Sequence, residues 1–497
     1  MVKSDIVKTE AELEAIADVM SSEIHGSSKN IVSRYARIVE LTAEFMNGYA
    51  LHRVSVTGHT NREDMDSGLY SFAFIKDLFP HNFREVTVAR ELNESRFNLQ
   101  RKNIPLPVAQ ETHIEALPSK IDIYDAEFGD FTRDHPNTAI TRTLSVEQRV
   151  VVNSRGGKFI QSVPLFDIFY CSGFSPIPTT RNISVVCNSD DNIRKLPCLI
   201  KYLADPTING RIRNAASFSQ AFHELYGISG LKFGSLPEGG IPVSELYDVV
   251  ILTGVPSHEI FGHHFEEPIR FLGFGESGTF KYDQNLTKKH FVLKDDPHHT
   301  IDGFKVRGFT YFDAYGRKRE SQVHIQNGKV VGFLGGEYSD SANITKFMNI
   351  QGTEFTGHSV QYIDGFFPQP RMSCTVLDGQ TEDVDLEGKI LIVPHDGSTN
   401  SKIKTYQVSA SECYIMRDGE PRRVIPLQVT GGINQALAST ILLPHWSYQS
   451  GLCGKPDPIN SREGFAYAPV SQFARNQIWE KQQVYPTDLK DTHIKIL

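Results

Sequence analysis

Tyr247-Asp248-Val249-Val250-Ile251-Leu252, followed after five residues by His258-Glu259-Ile260-Phe261-Gly262-His263-His264-Phe265-Glu266-Glu267, sets an apolar strand pattern directly before a knot of imidazoles and carboxylates. Neutral imidazole is the commonest zinc ligand, and a Glu beside one can act as a base towards water. If the segment is a helix that binds a metal, the chain is a hydrolase, with peptide bonds the first substrate to consider.

The spacing is unusual. The common zinc helix sets two histidines at i and i+4 on one face, with Glu after the first. Here the i+4 position is Gly262, and the histidines come at i+5 and i+6. On a regular helix, i and i+5 diverge by about 140°. His258 and His263 can share a metal only if the helix widens or ends near Gly262, and one-residue π-bulges do this at functional sites. His264 fits less well and reads as a neighbour of the metal or a substrate contact. The competing reading is of ordinary histidines on a half-buried helix. A catalytic zinc also needs a third protein ligand. Cys453, in the Gly-flanked stretch Gln449-Ser450-Gly451-Leu452-Cys453-Gly454-Lys455-Pro456, reads as a loop cysteine, and such cysteines are mostly inert.

Working outward, 497 residues are enough for two or three domains and a large core. With 39% hydrophobic and 22% charged residues the composition is that of a soluble globular protein. A net charge of −8 offers no general attraction to nucleic acid or anionic membrane. The longest apolar runs are far too short to span a bilayer, and the first residues lack the apolar core of a signal peptide. Six scattered cysteines suggest neither a disulfide framework nor an all-cysteine zinc site. A cytoplasmic setting is the expectation.

Residues 6–24, with Leu13, Ile16, Ala17 and Met20 at helical spacing, predict an amphipathic helix. Arg37–Phe45 and Leu51–Val56 predict strands, and Val150–Ile160 a hairpin around Asn153-Ser154-Arg155-Gly156-Gly157. Ser217–Tyr226 predicts a helix, and the Pro/Gly-rich Gly234–Pro242 a linker. After residue 290, short strands recur between Asp-Gly and Asn-Gly turns. Tyr311–Asp313, Val323–Ile325 and Val330–Phe333 read as consecutive antiparallel strands, continued by Ile390–Pro394 and Cys413–Met416. The expected fold class is α+β. An N-terminal α/β domain, 1–238, precedes a C-terminal, mainly antiparallel β domain, 239–497, with the metal-binding helix at its start.

Four ordered landmarks in the second half resemble the TldD/PmbA family, specifically its TldD-type subunit. They are His258-Glu259-Ile260-Phe261-Gly262-His263 after a strand, the Asp-Gly-rich strand series through Asp313 and Asn327-Gly328, Phe367-Pro368-Gln369-Pro370-Arg371-Met372-Ser373, and Gly451-Leu452-Cys453-Gly454-Lys455. In the first half, Val152-Asn153-Ser154-Arg155-Gly156-Gly157 looks like the family's hairpin turn.

The resemblance implies a zinc metallopeptidase with one Zn2+ per active subunit. His258, His263 and Cys453 would be ligands and Glu259 the general base. The i+5 spacing is then the family's own. The second His of the family is usually followed by Gly-Leu-Glu-Gly; here His264-Phe265-Glu266-Glu267 stands instead, keeping the acidic position at Glu266. Arg371, His264 and Glu266 are expected near substrate, or, for Glu266, behind a ligand histidine. The implied substrate is an unstructured peptide, added as a strand beside a sheet edge. The implied assembly is a homodimer or a heterodimer with a PmbA-type subunit. Three alternatives stand beside this: an amidase maturing a modified peptide or small molecule, a non-catalytic peptide-binding subunit, and a structural zinc with His264 as fourth ligand.

Overall fold

A computed structural model describes residues 6–66, 106–173, 179–205, 217–229, 245–266, 280–334, 356–361, 368–400, 403–456 and 465–487, with residues 212 and 215 and short strand pieces at 69–76, 84–86, 241–242 and 493–494. The expected linker at Gly234–Pro242 falls outside these, apart from Ile241–Pro242.

The first helix, Glu10–Ile24, starts later than its periodicity suggests because Thr9 caps it. The Thr9 side chain accepts from the Glu12 backbone N–H, and the Glu12 carboxylate accepts from the Thr9 N–H at 2.7 Å. Leu13, Ala17, Met20 and Ile24 form its buried stripe. Ile31–Met46 and Tyr49–Asp64 are longer than the two predicted strands and pair throughout, around Asn47-Gly48 at positive φ. Thr138–Asn153 and Lys158–Ser172 form the predicted hairpin. These four strands make the centre of an eight-stranded sheet.

Side chains alternate across a strand. On one face, Tyr35, Val150 and Ile160 meet the first helix, and Val39, Phe45, Leu144 and Val146 meet Phe128 and Phe131 of a second helix, Asp125–Asp134. On the other face, Val32, Val151 and Phe159 are covered by Phe312 and Tyr315 from the second half of the chain. The two halves also share a hydrophobic cluster that joins Ile183 and Val185 to Val306, Val376, Tyr448 and Phe473.

The second half is built on an eleven-stranded sheet. Within it Leu246–Ile251 pairs with Ile390–Asn400, which pairs with Thr405–Arg417, then Leu427–Gly432, then Phe465–Pro486, which returns to Leu246–Ile251. The ring closes on itself and leaves those strand edges satisfied. Val249, Ile251, Ile392, Val408, Val429 and Trp479 fill it, while Val250, Leu252, Leu391 and Tyr414 face out into a second cluster. This is a mixed, strand-rich α+β architecture, as the turn signals suggested.

Three local expectations need correction. Tyr311–Asp313 is not a strand. Asp313 Oδ1 accepts from the N–H groups of Tyr315 and Arg317, and its other oxygen from the Arg317 guanidinium, which closes a turn. The strand that begins at Lys329 ends at Val330 rather than running to Phe333. Cys453 does not sit in a loop. It lies in the sixteen-residue strand Ile441–Pro456, with Cys453 opposite Ala468. Pairing along the twenty-two-residue strand Phe465–Pro486 overrides the local preference of its glycines. All six cysteines are unpaired. No helix among the described residues is long and apolar enough to cross a membrane.

Candidate metal centre

The Leu246–Ile251 strand delivers the chain to the site. Leu252 N–H donates to Ile392 O at 3.0 Å, and Thr253 Oγ1 accepts from the Val255 N–H at 3.3 Å. Ser257–Phe261 then forms a π-helical turn, followed by a 3-10 turn over Gly262–His264. The Gly262 N–H reaches both Ser257 O and His258 O. An i+5 bond widens the turn, so residues five apart lie one above the other and His258 and His263 share a face. Ile260, Phe261 and Phe265 point the other way, into the core of the ring.

Gly262 is there for space. Its φ is −58°, open to any residue, but a Cβ would stand 2.6 Å from Met372 Sδ. Gly397, on the Ile390–Asn400 strand, has the same role beside Glu259, where a Cβ would lie 2.9 Å from Glu259 Cβ.

One ligand atom from each of His258, Glu259, His263 and Cys453 lies within 4.8 Å of all the others. His263 Nε2 is 2.9 Å from Glu259 Oε2 and 3.2 Å from Cys453 Sγ. The other ring nitrogens are held from behind. Thr375 gives its hydroxyl hydrogen to Met372 Sδ at 3.5 Å and accepts from His258 Nδ1 at 2.8 Å. His258 Nε2 is thereby left as a lone pair, fully buried with no hydrogen-bond partner, and 3.9 Å from Glu259 Oε1. His263 Nδ1 donates to Glu266 Oε2 at 2.8 Å. Glu266, wholly buried, also accepts from the Met372 N–H at 2.7 Å and from Arg371 Nε at 3.3 Å. Arg371 in turn donates to Cys453 O at 2.9 Å. One buried carboxylate–guanidinium pair therefore ties the π-turn, the Pro370-Arg371-Met372 segment and the Cys453 strand together.

Burial opposes ionisation of the Cys453 thiol, but His263, Arg371 and His258 outweigh it and bring it down to about 7. Burial likewise opposes the Glu259 carboxylate, and His263 and His258 overcome it and hold it at about 2. His263, flanked by Cys453, Glu259 and Glu266, is pushed up despite its burial. A set of thiolate, carboxylate and imidazoles around an orphaned buried nitrogen suits a borderline-soft divalent cation.

Each expected site residue is among those described. His258, Glu259, His263 and Cys453 converge, with Glu266 and Arg371 directly behind them. His264 is buried elsewhere, its ring edge-on to Phe280 at 5.4 Å, and it does not belong to the cluster of ligand atoms. Thr375, Met372 and Gly397 are contributors that sequence reasoning missed. Thr375 carries no motif, Met372 stood in a quoted landmark with no role attached, and Asp396-Gly397, one of the Asp-Gly pairs expected to be turns, lies within the Ile390–Asn400 strand, with Gly397 opposite Val408.

Residues 250–456 match the family model of the PmbA/TldA metallopeptidase C-terminal domain, a span that holds His258, Glu259, His263 and Cys453. Three solved structures share the fold. TldE from Thermococcus kodakarensis is 13% identical, with a TM-score of 0.58 over 95% of this chain and 99% of its own. A protein described as a candidate modulator of a DNA gyrase from Thermotoga maritima is 12% identical, with a TM-score of 0.53 over 96% and 100%. One of the same description from Bacteroides thetaiotaomicron is 12% identical, with a TM-score of 0.54 over 98% and 100%. No curated protein matches the chain in sequence. The chain thus shares its fold with these structures, and the domain that carries the four converging ligand atoms is the one that matches a metallopeptidase domain model. The sequence match itself is to the PmbA/TldA metallopeptidase C-terminal domain and covers residues 250–456 of the chain.

Proposed function

We propose that the chain is a zinc-dependent peptidase acting on unstructured peptides, with His258, His263 and Cys453 as ligands and Glu259 as general base. The observation that carries this is the convergence of four ligand atoms within 4.8 Å, one of them a buried imidazole nitrogen with no other partner. When bound, zinc would activate water and polarise the scissile carbonyl. The chain's own residues supply the rest. Thr375 and Glu266 hold the two imidazoles in the tautomers that turn Nε2 inward. Arg371 and Glu266 act as positioning residues, locking Cys453 against the π-turn. Glu259 takes a proton from the attacking water and returns it to the leaving amine. Gly397, lacking a side chain, lets its strand pack directly against Glu259 and Ile260 and so fixes the position of the base.

A dimer, homomeric or with a PmbA-type subunit, is part of the proposal. The test is metal content and casein hydrolysis in wild type, Cys453→Ser and Glu259→Ala. The reading expects zinc near one per chain in wild type and Glu259→Ala, much less in Cys453→Ser, and hydrolysis in wild type alone. Full zinc at unchanged affinity in Cys453→Ser would sink the ligand set. Wild-type zinc without hydrolysis of any unstructured peptide would move the reading to the amidase or binding-subunit alternatives.

A further inference from the structure

A cavity of 190 Å³ lies between the two halves of the molecule. The segments that build the metal centre also wall it. Thr253 stands at the entry to the π-turn, Pro394 and His395 precede Gly397, and Gln449 and Ser450 precede Cys453. Thr253 Oγ1 bonds Pro394 O at 3.5 Å and so fastens two of these walls together. The N-terminal sheet supplies the opposite wall through Phe169, Thr180, Arg181 and Asn182. Asn182 Nδ2 reaches Ser450 O at 3.1 Å and joins that wall to the Cys453 strand. Phe169 and His395 are exposed at the rim, whereas Arg181 and Glu412 are buried.

We propose that this cavity is a side-chain subsite of the peptide site, and that it selects an uncharged side chain. The inference rests on the peptidase reading and deepens it. The argument is one of size and charge. The volume holds several waters, hence one side chain and not a folded segment. The buried charges in its wall are paired with each other, and one donor remains over: Arg181 Nε is buried without a hydrogen-bond partner, a position for a neutral acceptor. Arg181 gives Glu412 two bonds, at 2.6 and 2.8 Å, and Tyr414 gives Glu412 a third at 2.7 Å. A carboxylate or ammonium entering here would bring a net charge against a buried ion pair that is already neutral, and drawing one partner away leaves the other uncompensated. A neutral side chain meets Leu203, Ala204 and Val393 with Thr180, Ser411 and Gln449 around them, and breaks nothing. The N-terminal half is then part of the substrate site rather than a scaffold beside it.

The probe is a set of fluorescent unstructured peptides identical except for one residue, Leu, Gln, Glu or Lys. Binding is measured by anisotropy to the full-length, zinc-loaded Glu259→Gln protein, and hydrolysis with the wild type. The expected result is at least about tenfold tighter binding of the Leu and Gln peptides than of Glu and Lys, a gap of about 1.4 kcal/mol. Ala204→Leu and Ser411→Leu, which fill the cavity from two sides, should each erase that preference. Equal binding of all four peptides, or an unchanged preference in both variants with thermal unfolding like that of the parent, overturns the subsite. If the preference is present and cavity-dependent but wild type hydrolyses none of the peptides, the subsite stands and the peptidase reading falls.

Discussion

Single side chains decide whether this site exists. Gly262 is crowded by Met372, so Gly262→Ala must displace a buried thioether. The expected cost is about 1–3 kcal/mol, as for other overpacked cores, seen as a lower denaturation midpoint, with much of the loss recovered in Gly262→Ala/Met372→Ala. No recovery would mean that the glycine serves the backbone and not the packing. Glu259→Ala should lower peptide hydrolysis about 10²–10⁴-fold, the range for loss of a positioned base, while zinc content stays near that of wild type. A parallel loss of zinc would instead make Glu259 a ligand. The pair His258-Glu259, the histidine five on and the late cysteine could all be picked out as residues. The partners that orient them could not, because Thr375 lies 117 positions from His258 and in no recognisable pattern.

At the scale of elements, the widened turn does the aligning. A regular helix would turn His258 and His263 apart, and Ser257–Phe261 takes the π form that brings them together. Behind it, the Cys374–Gly379 strand presents Thr375 to His258 Nδ1. Thr375→Val keeps the shape and removes the acceptor. Zinc affinity should fall about 10–100-fold, as for other partners of ligand histidines, measured by competition with a chromophoric chelator. Unchanged affinity would show that the ring is held by packing alone. Cys453 shows the limit of local reading. Its glycine-flanked surroundings favour a loop, yet pairing with Phe465–Pro486 makes a strand. Such pairing depends on residues distant in sequence, which local propensity does not sense.

Across the whole molecule, acid should loosen the fold before it strips the carboxylates. Burial pushes His324 down to about 4, and burial with Arg149 and Arg34 pushes His59 down to about 3. Both are neutral in the fold and take up protons near pH 6.5 when unfolded. Between roughly pH 6.5 and those lower values, the unfolded chain therefore binds more protons, and stability falls as pH falls, by about 1.4 kcal/mol per pH unit for each group. Above pH 6.5 neither contributes. His324 stacks on Phe265 at 4.9 Å and has Nδ1 3.2 Å from Gly332 O. His324→Asn keeps a donor there and should flatten the decline by about one proton in urea unfolding at pH 4.5–6.5. An undiminished slope would assign the acid sensitivity elsewhere.

The sequence alone determined the strand-rich α+β character, through turn residues and alternating apolar positions, and the chemistry available at residues 258–266, through residue type and spacing. Tertiary structure decided the rest. It closed the ring that seats the π-turn, made a strand of the Cys453 segment, brought Thr375, Glu266 and Arg371 behind His258, His263 and Cys453, and set the N-terminal sheet against the second half. The reason is physical. Periodicity and turn chemistry act within a few residues, whereas strand pairing and buried hydrogen bonds join groups more than a hundred positions apart, and only the folded chain brings those together.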